Sequence, residues 1–152
     1  MKLRIIITGG TFDKQYDAIR GQLTFKDSHL PDIIERVRCS LPIELEINQM
    51  VDSLDMHDES RQRVLAACCM ASEELIVITH GTDTMAETAA VLGQAFSAGE
   101  AALTGKRIVL TGAMVPYSVS DSDALFNLGS AVMASQLVAP GVYIAMNGRC
   151  FP

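Results

Sequence analysis

The chain has 152 residues, enough for one domain with a sizeable buried core, and 49% of them are hydrophobic. Its formal net charge of -6 argues against a nucleic-acid partner, because phosphate binding needs a basic surface. No stretch reaches the roughly 20 apolar residues that span a bilayer, and the first apolar run is too short for a secretory leader. The four cysteines and three histidines show no spacing typical of a metal site or a disulfide framework. We therefore expect a single-domain cytoplasmic protein without metal, membrane or nucleic-acid partners.

The chain begins with a predicted strand over residues 3–7, which ends at the run Thr-Gly-Gly-Thr-Phe over residues 8–12. Adjacent glycines let the backbone bend sharply and approach a ligand closely, and they leave Thr11 at the carboxyl end of the strand. A phosphate-binding turn is disfavoured because the G-x-G-x-x-G spacing is absent. Residues 9–28 lack apolar periodicity and predict a long loop that is functional or mobile.

The next segment alternates helices and strands. We predict a helix over 31–39 capped by Ser28, followed by a strand over 43–47 in which apolar and charged residues alternate. Residues 52–55 then form a turn. A second helix, capped by Asp55, runs to about residue 71.

The most informative run is Thr-His-Gly-Thr-Asp-Thr-Met-Ala-Glu-Thr over residues 79–88. It follows a short apolar stretch that is typical of a buried strand over 75–79, and it leads into apolar residues at helical spacing. Thr84 with Glu87 three residues later fits a capping box, so we expect a helix over 84–97.

Thr82 and Asp83 are thereby placed on a strand-to-helix turn, where open α/β sheets bind ligands. A hydroxyl beside a carboxylate at such a turn is a candidate for chemistry. Taken alone, the glycine turn before Thr11 is a weak signal. Two threonine turns at the same edge of one sheet could face each other across a single pocket, which favours a functional interpretation of both.

The remaining elements continue the alternation, with strands predicted over 107–111 and 141–146, a loop over 112–122 and a helix over 123–137. Strands that alternate with helices predict a doubly wound α/β domain, with a mostly parallel sheet and helices on both faces. One such domain accounts for residues 1–152. Its ligand-binding edge is expected to include Gly10–Thr11, Asp52–Ser53, Thr82–Asp83 and Gly112–Ala113.

These motifs resemble the amino-terminal domain of the bacterial-type L-asparaginase family, and the resemblance runs nearly end to end. Three blocks occur in the family's order, and the second is long and specific. The matching residues are Thr8–Phe12, then Thr79–Met85 with Glu87–Ala89, then Gly112–Met114 with Pro116, Asp123 and Phe126–Leu128.

The resemblance implies that a side-chain amide is hydrolysed through a threonine nucleophile and a covalent acyl-enzyme. Thr11 would be the nucleophile and Thr82 the second catalytic threonine. Asp83 would hold the α-amino group of the substrate, and the Asp52–Ser53 turn would bind its α-carboxylate. The physical logic is sound, because a threonine hydroxyl is a weak nucleophile and needs a neighbouring group to remove its proton.

The same resemblance implies L-asparagine as substrate, L-aspartate and ammonia as products, no metal or organic cofactor, and a homo-oligomer. Gly10 and Ala113 would help to shape the pocket. Tyr16 would correspond to the tyrosine of the family's mobile lid, although it lies closer to the nucleophile than in longer relatives. His80 is expected to have a structural hydrogen-bonding role rather than to transfer protons.

Two departures from the family pattern stand out. Leu54 replaces a polar residue that many relatives have after the substrate-binding serine, which removes a contact and bears on the choice between asparagine and glutamine. The family also completes a second triad with a lysine beyond residues 146–148, and this sequence stops before that position, as a shortened piece or as a naturally short form. The lysines present are Lys2, Lys14, Lys26 and Lys106, and none matches. Lys14 is expected to be a solvated surface residue.

Two other functions remain open from the sequence. Without the lysine, the domain could be a non-catalytic module that binds an amino acid. It could also be an amidase for a different amide such as glutamine, for example as one component of a larger amidotransferase. The acidic net charge disfavours direct contact of such a component with tRNA.

Overall fold

A six-stranded sheet forms the centre of this computed structural model, which describes residues 1–24 and 27–152. Lys26 therefore lies outside the described residues. The strands are β1 (Leu3–Gly9), β2 (Gln15–Asp17), β3 (Gln22–Thr24), β4 (Ile43–Val51), β5 (Leu75–Thr79), β6 (Arg107–Thr111), β7 (Gly141–Met146) and β8 (Arg149–Phe151). The helices are α1 (Leu30–Arg36), α2 (Asp58–Met70), α3 (Met85–Ser97) and α4 (Ala124–Leu137). In the described part of the chain no helix combines the length and the apolar character needed to cross a membrane.

The sheet has the order β4-β1-β5-β6-β7-β8, and its first five strands are parallel. Alternate residues of the central strands point to opposite faces, so Ile5 and Val77 join one core cluster while Ile6 and Ile76 join the other. Helices α1 and α4 cover the first cluster, and α2 and α3 cover the second. Strands buried on both faces are continuously apolar, which is the pattern of β5 and β6, whereas the edge strand β4 alternates apolar and charged residues. The doubly wound α/β fold predicted from the sequence is confirmed.

The strand order reverses between β1 and β5. From β1 the chain crosses to β4 on one side, and it then returns past β1 to β5 on the other side. The loops that leave the carboxyl ends of β1 and β5 therefore diverge, and a ligand site is expected between them. Residues 10–13 follow β1 and residues 80–84 follow β5, so the topology brings both predicted threonine turns to this point.

The structure corrects several predicted boundaries. The predicted loop over 9–28 contains the hairpin β2–β3, whose three-residue strands are too short to produce a sequence pattern. Strand β8 was not predicted, and it pairs antiparallel with β7. Helix α2 begins at Asp58 instead of Asp55, because Asp55 belongs to a short 3-10 turn over Ser53–Asp55. Helix α1 ends at Arg36, before the predicted end at residue 39. Near its start, Ser28 Oγ accepts a hydrogen bond from Leu30 N at 3.1 Å.

His80 anchors the turn that follows β5. It is fully buried, its Nδ1 lies 2.7 Å from Gly81 O, and its Nε2 lies 2.7 Å from Thr88 Oγ1. A carbonyl can only accept, so Nδ1 carries the proton and the neutral ring accepts from the Thr88 hydroxyl. Burial lowers the pKa of His80 below its ordinary value of 6.5, and the charge of nearby Arg61 lowers it further. The structural role predicted for His80 agrees with these contacts.

Asn127 joins three segments near the carboxyl ends of β6 and β7. Its side chain is fully buried, and its Nδ2 donates to Gly112 O at 2.9 Å and to Asp123 Oδ2 at 3.0 Å. Its Oδ1 accepts from Asn147 N at 3.1 Å. Both polar atoms of this amide are engaged, so a single residue of α4 fixes the loop after β6 and the turn after β7.

Replacing Asn127 by alanine should lower the free energy of unfolding by about 2–3 kcal/mol, because the carbonyl of Gly112 and the amide of Asn147 would lose their buried partner. Urea denaturation measures the change. Ser130→Ala on the same helix is the control, since its hydroxyl bonds to Phe126 O within α4, and its effect should stay below about 0.5 kcal/mol. Equal effects of the two substitutions would contradict the role assigned to Asn127.

Stability should fall as the pH drops from about 7 to 5.5. In this range the unfolded chain binds a proton at His80 that the folded chain does not accept, because the pKa of His80 is lowered by folding. Denaturation at a series of pH values should give a decreasing free energy of unfolding for the wild type and a flatter profile for His80→Asn. Identical slopes for the two proteins would mean that folding does not lower the pKa of His80.

Candidate active site

The turns after β1 and β5 touch through two glycines. Gly10 has a positive φ of 79°, and a Cβ at this position would lie 2.5 Å from Gly81 Cα. The approach therefore excludes any side chain at Gly10. Thr11 and Thr82 are the next residues along the two turns, and both are partly exposed. Thr11 begins a 3-10 turn over Thr11–Asp13.

Ser53 brings a third turn into this group. It is 1% exposed, and a Cβ on Gly81 would lie 2.5 Å from its Oγ. Thr84 reaches it from the start of α3, with Thr84 Oγ1 donating to Ser53 O at 2.8 Å and Thr84 N donating to Ser53 Oγ at 3.4 Å. The predicted ligand edge thus brings Gly10, Gly81 and Ser53 into contact.

The capping box predicted for α3 is wrong. The helix begins at Met85, one residue after the predicted start, and the side chain of Thr84, its N-cap residue, makes no capping hydrogen bond. Its hydroxyl donates to Ser53 instead, and Glu87 forms an ion pair with Arg61 of α2 at 3.0 Å. Both side chains of the predicted capping box therefore contact residues that are distant in the sequence instead of the backbone of the first helical turn.

Asp52 accepts hydrogen bonds with both carboxylate oxygens. Lys14 Nζ lies 2.5 Å from Oδ2, and Leu54 N donates to Oδ1 at 3.1 Å. The hydrogen bond from Lys14, followed by that from Leu54, lowers the pKa of Asp52. The expectation that Lys14 is a solvated surface residue is wrong, because its side chain is 20% exposed and lies on Asp52.

The remaining predicted residues differ in their placement. Asp83 is exposed on the turn before α3, beside the helix N-terminus. Tyr16 lies on the β2–β3 hairpin and is 65% exposed, and Leu54 is also exposed. Ala113 is buried in the core cluster that α1 and α4 cover, so its side chain packs beneath the predicted ligand-binding edge of the sheet. The neighbouring Gly112 packs against the carbonyl of His80.

A buried carboxylate behind the Thr11 turn was not identified from the sequence. Asp13 is fully buried and accepts hydrogen bonds from His29 N at 2.8 Å and from Ser28 Oγ at 3.2 Å. Burial raises the pKa of Asp13, and the hydrogen bonds oppose this effect. The loop after β6 braces the same turn, since Tyr117 N donates to Phe12 O at 3.2 Å. Nothing in the local sequence around Asp13 signals these partners, which come from distant segments.

Two further features bear on the chemistry available. In the described residues no group of three or more His, Cys, Asp or Glu side chains is arranged to hold a metal ion. A cavity of about 600 Å³ lies between α3 and β7–β8, lined by residues such as Ala89, Phe96 and Ile144, away from the three turns. The groups at the turns are hydroxyls, carboxylates, backbone N–H groups and the ammonium of Lys14, which suit acyl transfer.

The chain is similar to proteins of known family. It is 31% identical over 154 residues to a component of the glutamyl-tRNA(Gln) amidotransferase of Archaeoglobus fulgidus, an alignment that covers 96% of this chain and 34% of that protein. It is 32% identical over 152 residues to the L-asparaginase of Thermococcus kodakarensis, covering 95% of this chain and 44% of that protein.

A solved structure, the thermostable L-asparaginase from Thermococcus kodakarensis, superposes with a TM-score of 0.80 at 28% identity, over 99% of this chain and 45% of that one. The chain therefore spans less than half the length of these relatives. Residues 2–152 match the family described as Asparaginase, N-terminal. The chain thus belongs to the asparaginase family, and it corresponds to the amino-terminal domain of that family.

Proposed function

We propose that this domain hydrolyses the side-chain amide of L-asparagine to L-aspartate and ammonia, with Thr11 as the nucleophile. The observation that carries the proposal is the contact of Gly10 with Gly81, which brings the two threonine turns together at the strand-order reversal. Membership of the asparaginase family supports the same reaction class.

In this mechanism the Thr11 hydroxyl attacks the amide carbon and forms a tetrahedral intermediate. The C–N bond then breaks, ammonia leaves with the hydroxyl proton, and an ester joins the substrate to Thr11. Water hydrolyses the ester and restores the hydroxyl. Negative charge that develops on the amide oxygen needs fixed donors, and the backbone N–H groups of the turn at Thr82 lie beside the positive end of α3.

Substrate recognition follows from the charges on the other two turns. Asp83 is exposed beside the site and would bind the α-ammonium group. The Asp52–Ser53 turn would bind the α-carboxylate through Ser53, while Asp52 holds the turn in place. Gly10 permits close approach of the backbone, Ala113 supports the pocket floor, and Tyr16 on the exposed hairpin would close over the substrate.

This reaction uses no metal or organic cofactor. We also propose that the protein works in the cytoplasm. We expect it to be a homo-oligomer, because the Thr11 and Thr82 turns lie at an open edge of the domain where a second copy of the chain can cover the site. The acidic net charge supports the absence of nucleic acid from this assembly.

A second candidate is hydrolysis of the amide of glutamine. The similarity to a component of a glutamyl-tRNA(Gln) amidotransferase favours it. Exposed Leu54, which follows Ser53, changes the contacts available to a longer side chain. A binding module without catalysis is the third candidate. Separate measurements of ammonia released from each amide and of L-aspartate binding distinguish all three.

Thr11→Ala should lower ammonia release from L-asparagine at least a thousandfold, because no other group forms the acyl-enzyme. Binding of L-aspartate, measured by titration calorimetry, should change less than about threefold. Thr104→Ala is the matched control, since Thr104 is an exposed threonine just before β6, at the amino ends of the strands and away from the proposed site. Turnover retained in Thr11→Ala would exclude Thr11 as the nucleophile. A wild type that binds L-aspartate and releases no ammonia would support the binding module.

Asp83→Asn should raise the KM for L-asparagine about 30-fold to 150-fold, because a charge-assisted contact to the α-ammonium group contributes about 2–3 kcal/mol. Succinamate, which has the same amide but lacks the α-amino group, should lose little activity on the same substitution. Steady-state kinetics with both substrates provide the comparison. An equal loss of activity with L-asparagine and with succinamate would show that Asp83 does not bind the α-ammonium group.

A further inference from the structure

Lys14 connects the Thr11 turn to the rest of the site. Its backbone N–H donates to Thr11 O at 3.2 Å and closes the 3-10 turn that begins at Thr11. Its backbone carbonyl accepts from Ser118 Oγ at 3.0 Å. Its ammonium lies 2.5 Å from Asp52 Oδ2, although the two residues are 38 positions apart in the sequence. This side chain therefore spans from the turn of the proposed nucleophile to the turn of the substrate-binding serine.

Asp52 is equally well held on its own turn. Its Oδ1 accepts from Leu54 N, and its backbone carbonyl accepts from Asp55 N at 2.9 Å. The next residue, Ser53, packs on Gly81, and Gly81 packs on Gly10. The contacts form a closed ring through Thr11, Lys14, Asp52, Ser53, Gly81 and Gly10.

The ion pair between Lys14 and Asp52 is partly shielded from solvent. The Lys14 side chain is 20% exposed and the Asp52 side chain is 28% exposed, against 49% for each partner of the Lys2–Glu44 pair at the opposite end of the strands. Less solvent means less screening and a more fixed geometry. A partly buried carboxylate without its cation is unfavourable, so breaking the contact between Lys14 and Asp52 is expected to loosen both turns.

We propose that the Lys14–Asp52 ion pair holds the Thr11 turn in register with the Ser53 turn, which makes Lys14 a positioning residue for the nucleophile. This inference rests on the proposed function. Displacement of a reacting group by about 1 Å can reduce a rate about a hundredfold, so a contact that fixes two turns acts on catalysis without touching the substrate.

A double-mutant cycle tests the pair. Lys14→Met and Asp52→Asn should each lower kcat/KM for L-asparagine about tenfold, and the double variant should lose less than a further twofold, because each single change already breaks the same contact. Losses that multiply to about a hundredfold would overturn the proposal. Lys2→Met, which breaks the exposed Lys2–Glu44 pair and a longer 3.7 Å contact to Glu73 at the opposite end of the strands, is the matched control and should leave kcat/KM unchanged.

The nature of the loss separates positioning from binding. In Lys14→Met the decrease should appear in kcat, while the Kd for L-aspartate changes less than about threefold. Lys14→Arg keeps the charge and should recover most of the activity, whereas Met keeps the apolar stem alone. A loss confined to the Kd, or no recovery with Arg in a folded variant, would overturn the positioning role.

A readout that does not depend on turnover completes the test. Hydrogen–deuterium exchange of the amides over residues 10–14 and 52–55 should accelerate in Lys14→Met and in Asp52→Asn by similar factors, with residues 141–146 unaffected. If the wild type releases no ammonia, the proposed function fails. The exchange data still show whether the Lys14–Asp52 ion pair fixes the two turns. Unchanged exchange over both turns would overturn the proposal even in an active enzyme.

Discussion

The close approach of two glycine backbones, Gly10 and Gly81, is the constraint on which the site depends. Strands β1 and β5 are neighbours in the sheet, and the chain leaves them in opposite directions. A Cβ on Gly10 would collide with Gly81, and a Cβ on Gly81 would collide with Ser53. With any larger residue the three turns would separate, and the Thr11 and Thr82 turns would no longer lie side by side.

Buried polar side chains hold this edge of the sheet in place. His80 is neutral and satisfied at both ring nitrogens, which suits a fully buried position. Asn127 performs the same task for the ends of β6 and β7. A fully satisfied buried network is favourable and rigid, whereas an unsatisfied one is costly. The exposed residues with proposed roles in the reaction therefore rest on elements that His80 and Asn127 hold in place.

Family membership and local geometry support the same reaction, and they contribute different information. Membership of the asparaginase family supports amide hydrolysis as the proposed reaction class. The structure adds the Lys14–Asp52 pair, in which an ammonium beside the three turns is committed to a carboxylate. The charges at this edge include the carboxylates of Asp52 and Asp83 and this engaged cation. This arrangement supports the proposal that Asp83 binds the α-ammonium group of the substrate.

The sequence by itself determined the architecture and the candidate residues. Apolar runs at β5 and β6 and the alternation of elements were sufficient for the fold, because burial on both faces leaves a pattern in neighbouring residues. The Thr11 and Thr82–Asp83 turns were recognisable because their motifs are local. The tertiary structure alone decided which side chains meet. It paired Lys14 with Asp52, gave the Thr84 hydroxyl to Ser53 in place of a capping box, and added β8 to the sheet. Partners far apart in the chain compete with local preferences through burial and charge, and no pattern of neighbouring residues records that competition.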